Sequence, residues 1–429
     1  MKKVMLKTTI SLAVAMASTQ IFASGFALNE QSISGMGSGF AGRSSSADDA
    51  STIFGNPAGM SRIKREQVTG GVAMIDAHTD ISHASSSPNN RGSNDGDMVP
   101  FIAVPMGYYV KPIDDHWAFG IGIYAPFGLV TDYENGFEGR YFGSKSEVKI
   151  VTVQPTVSYA FNDKVSIGFG PTINRIDGSL ESNITALPTL TNLPDGHVKI
   201  KGDDTALGYN IGVLVQATDS TRVGLTYHSK VKYKLEGDTK VNYNLLGLVG
   251  QNPSQKYDAS LDVTTPESVD FSVTHQLDDK WTLYAGSTWT RWSRLKEITV
   301  ENTGVPAVLN GQFGTITEEQ NWHDTWAHAI GASYQLNKQW VLRTGLSVDQ
   351  APTNNVDRSP RIPTGDRTIF SVGAGWSPTD DLTIDLAYSY LREESVKVDN
   401  KNQAPRNQTY NAKYENYANG FGLGATYRF

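Results

Sequence analysis

The 429-residue chain contains no cysteine. That excludes a disulfide framework and thiolate metal sites. An exported protein without cystines draws its stability from elsewhere, and closing a sheet on itself is one route. Long hydrophobic runs are also missing. After the first 23 residues no apolar stretch reaches the roughly 18 residues that a membrane-spanning helix needs. Positive charge is short: 37 Lys and Arg stand against 44 Asp and Glu, with no basic run or face, so nothing suits nucleic acid. The eight histidines are scattered, and His323 and His328 lack metal-ligand spacing, so neither a metal nor another cofactor is expected. No nucleophile elbow of the Gly-x-Ser-x-Gly kind stands out, and no enzymatic activity is expected. Gly37-Ser38-Gly39-Phe40-Ala41-Gly42 matches a dinucleotide fingerprint in letters only, because no strand precedes it. Asn94-Asp95-Gly96-Asp97 reads as a solvated turn rather than a calcium loop.

What is present points to a membrane wall built from strands. Lys2, Lys3 and Lys7 precede an apolar run from Ile10 to Phe22, the pattern of a secretory signal peptide over residues 1–23 with cleavage after Ala23. Removing it moves the formal charge from -7 to -10. At the other end, Phe421, Leu423, Ala425, Tyr427 and the terminal Phe429 alternate with Gly420, Gly422, Gly424, Thr426 and Arg428. One greasy face and one small or polar face define a strand. A terminal aromatic carboxylate is the usual last residue of an outer-membrane barrel, and Phe429 is the expected handle for the barrel-assembly machinery. Mean hydropathy is only -0.34, yet 10% of residues are aromatic. A barrel reconciles the two, since only alternate residues meet lipid.

Six short polar turns recur, at 113–117, 161–164, 218–221, 277–281, 336–340 and 378–382, each built on Asp, Asn or Thr. Asn and Asp suit turns because their side chains bond the local backbone. Longer polar segments alternate with them, near 82–97, 132–146, 181–203, 238–257, 301–320, 352–365 and 396–413. Short turns on one side and long loops on the other predict periplasmic turns and extracellular loops. Counting hairpins over residues 66–429 gives fourteen strands, so the fold class is all-β, an antiparallel transmembrane barrel. Alternation sends Ile167, Phe169, Leu342, Leu346 and Leu386 to lipid, and Gly168, Asn174, Arg343, Asp349 and Asp385 inward. A Lys or Arg facing lipid at mid-membrane costs roughly 2–4 kcal/mol, which enforces that assignment.

Residues 24–65 do not alternate. They are rich in Gly, Ser and Ala but keep apolar anchors such as Phe26, Leu28, Ile33, Met36 and Phe40. A free tail would carry more charge, so the segment is expected to plug the lumen as a small N-terminal hatch. Ser24-Gly25-Phe26-Ala27-Leu28-Asn29-Glu30, the following Gly-rich run, Ala47-Asp48-Asp49-Ala50 and Asn56-Pro57-Ala58 resemble the hatch of the FadL-like outer-membrane transporters. That family includes long-chain fatty-acid channels and TodX-type channels for aromatic hydrocarbons. The resemblance extends through Tyr227-His228-Ser229 and Trp340–Pro352 to Phe429, the whole mature chain.

The resemblance implies passive uptake of hydrophobic molecules, long-chain fatty acids first. Cargo would lodge in an outer groove, pass to a lumenal pocket beside the N-terminus, and leave sideways through a kink in strand 3. Pro126, Phe127 and Gly128 stand where that gate is expected; proline lacks the N–H that a ladder bond requires. For the pocket, Phe26, Leu28, Asp349, Arg343 and Arg175 are candidates, with Arg343–Asp349 readable also as a lumenal ion pair. For the outer groove, the candidates are Leu245, Leu246, Leu248 and Val249. The family's basic head-group positions fall on Ser182 and Glu318, which leaves an alkane or aromatic cargo open. The remaining alternatives are an open porin for polar solutes and a lipid hydrolase. Expected partners are the hydrophobic ligand and the outer-membrane lipid and lipopolysaccharide around a monomer.

Overall fold

The computed structural model describes residues 25–87, 92–184, 194–400 and 408–429. The expected signal peptide lies outside them. Among the described residues fourteen antiparallel strands form one closed wall: β1 Gln67–Ser87, β2 Ile102–Pro112, β3 Trp117–Asp132, β4 Lys145–Ala160, β5 Val165–Ile184 and β6 Gly196–Gln216. β7 runs through Thr221–His228 and Val231–Asn242, β8 through Ser254–Thr265 and Ser268–Gln276, and β9 through Trp281–Thr290 and Glu297–Thr303. β10 comprises Thr315–Glu319 and Thr325–Gln335; β11 is Trp340–Asp349 and β12 is Arg367–Trp376. β13 comprises Leu382–Glu393 and Val396–Asn400, and β14 is Thr409–Arg428. Closure is made by β14 on β1, in register from Gln67↔Arg428 to Ile75↔Gly420 and beyond.

The six short turns join strands where the polar clusters predicted them. Asp114 Oδ1 accepts from the N–H groups of His116 (2.8 Å) and Trp117 (2.7 Å). Asn162, Asp278 and Asn337 cap their own turns in the same way. Such side chains replace the ladder bonds that end at a hairpin. Exposed Trp117, Trp281, Trp340, Trp376 and Tyr427 flank the turns as an aromatic girdle at the lipid–water boundary. The strands are longer than their apolar bands. Of the segments expected as loops at 181–203 and 238–257, residues 181–184, 196–203, 238–242 and 254–257 continue the ladder, with Lys199↔Lys240 and Lys240↔Lys256 in register, and 185–193 lie outside the described residues. Above the lipid both faces of a strand meet water or loops, so alternation in hydropathy stops while pairing does not.

Residues 25–63 lie inside the wall, and exposed Lys64 and Arg65 lead to β1, with Arg65 paired to Asp381 of the turn at 378–382. Helix α1, Ile33–Gly37, is capped by Ser32, whose side chain accepts from Gly35 N–H. Helix α2, Thr52–Gly55, leads into the 3₁₀ turn Pro57–Arg62. The wall meets this segment with glycines on β5, β6, β7, β9, β11, β12 and β14: Gly168, Gly212, Gly224, Gly286, Gly345, Gly373 and Gly422. At Gly224 an added Cβ would overlap the Ser44 carbonyl oxygen, and at Gly373 it would stand 2.7 Å from Gly37 Cα. Backbone thus touches backbone, which only residues without side chains allow.

Candidate functional site

The third strand is where the wall departs from regularity. Its register with β4 shifts between Tyr124 and Phe127, so Ala125 and Pro126 bulge against a single residue, Val151. β2 pairs with β3 only along Ala118–Ile123, leaving the β2-side edge of β3 open beyond that point. The N-terminal segment occupies this edge from inside. Leu28 N–H donates to Pro126 O and Gly128 N–H to Phe26 O, both at 2.9 Å, around an antiparallel bridge between Ala27 and Phe127. A bulge re-aims the side chains that follow it. Leu129 accordingly turns into the lumen, and Phe127 meets Phe26 with ring centroids 5.6 Å apart.

Phe26, 7% exposed, is the hub of an aromatic cluster with Trp292 (5.0 Å) and Trp322 (6.0 Å). Gly25 adopts φ +62°, and an added side chain there would meet both indoles. Above the cluster lies a cavity of about 90 Å³ lined by Leu129, Val148, Ile176, Leu235, Leu261, Leu295 and Ile298, with Phe26 as part of its lining. Arg361, from the segment between β11 and β12, also borders this cavity. Its guanidinium is held by Glu318 at 3.0 Å and by the Lys145 and Glu181 carbonyls. Toward the hatch a second cavity, of about 130 Å³, is lined by Leu28, Phe40, Phe54 and Phe127 together with polar Arg43, Asn210, His228, Asp270 and Asp349. An apolar chamber above a mixed one can hold a chain and then a head group.

The hatch motif binds wall to plug. Asn56 Nδ2 donates to Ser44 O (2.7 Å) and to Val213 O on β6 (2.9 Å), while its Oδ1 accepts from Ala58 N–H (3.0 Å). Pro57 starts the 3₁₀ turn, and Ser166 on β5 donates to Ala58 O at 3.0 Å. Glu30, half-buried on the hatch, has its carboxyl raised above the usual range by loss of solvent, with Arg367 and Arg43 acting against that shift.

Several expected positions fall elsewhere. Arg175 does not enter the lumen: it shares the outward parity of Ile173 and pairs with Asp203 at 2.6 Å and Asp177 at 3.5 Å on the outside of the wall. Arg343 does face in, but its partner is Asp385 at 2.6 Å, not Asp349. Residues 343 and 349 sit on one strand, roughly 20 Å apart at 3.3 Å per residue, so they cannot meet. Arg343 instead reaches across β12, where Gly375 leaves the space. Asp349 stands 3.7 Å from Arg367, its register partner. Leu246 is 2% exposed and packs with Val198, Val241, Tyr257 and Phe313, whereas Leu248 is 74% exposed; Val249 is exposed and Leu245 half-buried. Ser182 is buried on β5, and Glu318 is the partner of Arg361. Neither motif nor alternation points to Trp292, Trp322, Arg361 or Arg43. The two tryptophans do lie outside the turn girdle, which was the one available signal.

A closed antiparallel barrel with a lipid-facing band, its bore filled by its own N-terminal segment, is an outer-membrane protein. Residues 14–429 match the family of outer membrane protein transport proteins (OMPP1/FadL/TodX), and the chain belongs to it. A long-chain fatty acid transport protein of Escherichia coli O6:H1 is 29% identical over 455 residues, covering 100% of this chain and 99% of the relative. Outer membrane protein P1 of Haemophilus influenzae is 28% identical over 471 residues, covering 99% of each. The crystal structure of a Pseudomonas aeruginosa FadL homologue superposes with a TM-score of 0.84 at 26% identity, covering 94% of this chain and 100% of that one. The Ralstonia pickettii toluene transporter TbuX shares the fold, with a TM-score of 0.69 at 19% identity over 95% of this chain and 99% of its own.

Proposed function

We propose that the chain carries long-chain fatty acids passively across the outer membrane, with residues 24–65 as a hatch and residues 66–429 as the wall. The observation that supports this most is the docking of Phe26–Leu28 on the bulged edge of β3, between an apolar cavity and a mixed one. Cargo enters the upper cavity through the outer loops, with Leu248 and Val249 as first contacts. It displaces the N-terminal segment, passes Phe26 and leaves beside Pro126–Gly128 into lipid. Each buried methylene is worth about 0.8 kcal/mol, so an exit through water would forfeit much of the binding free energy, whereas a sideways exit keeps it. No energy source is required for such a path. The relatives named for long-chain fatty acids support the choice of cargo. Phe429 serves as the assembly signal, and lipopolysaccharide surrounds a monomeric barrel.

A hydrocarbon cargo is the second reading, favoured by one feature: Arg361, which borders the upper cavity, is already neutralised by Glu318. The test is uptake of labelled oleate and of toluene by cells that depend on this protein. Wild type is compared with a variant in which Ala125 and Pro126 are replaced by one valine, giving β3 a regular register. Oleate binding kept with uptake lost is the expected result. Uptake at the wild-type rate in the straightened variant refutes the lateral route.

A further inference from the structure

The lower cavity contains a cation that the other lumenal pairs leave unclaimed. Arg343 is paired with Asp385, Arg361 with Glu318, and Arg367 with Glu393 and Asp349. Arg43, on the hatch, lines the lower cavity. Its guanidinium donates to Asn29 Oδ1 at 2.8 Å and lies over the Phe40 ring at 5.4 Å, and it makes no ion pair among the described residues. We propose that Arg43 is the carboxylate-binding residue of the lower cavity and selects long-chain carboxylates over neutral hydrocarbons. This deepens the uptake reading above and rests on it.

The chemistry of the surroundings agrees. A guanidinium has five N–H donors in a planar fork, and the neutral Asn29 oxygen takes only part of that capacity. Arg43 is half-buried, and bidentate carboxylate contact is the strongest pairing open to a guanidinium without a counter-ion. Two carboxylates also border the cavity, and the Oδ1 of Asp270 has no hydrogen-bond partner among the described residues. Asp349 faces Arg367, and Asp270 accepts from the Thr288 hydroxyl at 2.6 Å. Glu30, the hatch acid that feels Arg43, is shifted toward its neutral form by burial, which weakens it as a counter-charge. Leu28, Phe40 and Phe54 offer apolar surface for the methylenes next to the head group. Phe127, beside the β3 bulge, borders the same cavity, so a carboxylate held on Arg43 stays by the proposed exit while the tail moves first.

The test uses the full-length protein in detergent, with binding of oleate and of its methyl ester measured by calorimetry for wild type, Arg43→Gln and Arg43→Lys. Retention of the barrel is checked by cold-gel migration before and after boiling. The expected result is a loss of oleate affinity of about tenfold or more in Arg43→Gln, the usual scale of a charge-assisted bond. Methyl oleate should bind all three proteins alike, and Arg43→Lys should recover part of the oleate affinity. Unchanged oleate binding in Arg43→Gln overturns the assignment. Equal losses for acid and ester also overturn it, because they mark a packing role. Wild type that binds neither ligand would instead sink the uptake reading itself, and the assignment with it.

Discussion

Asn56→Ala isolates the hatch from the wall. The side chain is 1% exposed and makes three hydrogen bonds, to Ser44 O, Val213 O and Ala58 N–H. Truncation removes all three and leaves the Ser44 carbonyl and the Ala58 amide buried without that partner. At about 1–3 kcal/mol for each stranded group, the docked hatch loses roughly 2–6 kcal/mol. One factor of ten in population corresponds to about 1.4 kcal/mol, so the undocked state rises by roughly 30- to 10⁴-fold. The wall itself is held by a ladder that does not involve Asn56, and β5, β6 and β7 keep their registers. The expected phenotype is therefore a folded barrel with a leaking bore. In planar bilayers it should show frequent ion-conducting openings where wild type is nearly silent, and protease should cut residues 25–65 from the periplasmic side. Asn56→Asp should fail comparably, since it keeps the acceptor for Ala58 but loses both donors. If Asn56→Ala conducts and resists protease as wild type does, the hydrogen bonds do not hold the hatch and the reasoning is wrong.

Other outcomes follow from the same contacts. Phe26→Ala empties the centre of the cluster with Trp292 and Trp322. It should shift tryptophan emission to the red and cost about 3–5 kcal/mol of local packing, checked by fluorescence and by weakened oleate binding. Arg343→Met leaves Asp385 buried without its cation. It should lower barrel stability by about 3–5 kcal/mol in urea unfolding in lipid, while the double change with Asp385→Leu should recover most of that. A double variant as unstable as the single one would refute the pairing.

Much of the wall was legible in the chain because a membrane imposes a local rule. Lipid-facing positions must be apolar and alternate, and the turns need Asn or Asp to close, so strands such as β5 and β14 and the six turns could be read residue by residue. Within that rule even the outward aim of Arg175 was implied, since it shares parity with Ile173. What lay out of reach was set by register and by contacts distant in sequence. Arg343 finds Asp385 only because β11, β12 and β13 align as they do and Gly375 leaves room between them. Phe26 finds Trp292 and Trp322 only because the barrel closes around the N-terminal segment. The bulge at Ala125–Pro126 reverses the facing of all that follows on β3, which no uniform alternation anticipates. By itself the sequence determined a fourteen-stranded wall, because a two-residue period and turn chemistry are local. The tertiary structure decided which charges pair and which cation stays open to the cavity, because those depend on distances across the bore that no local period encodes.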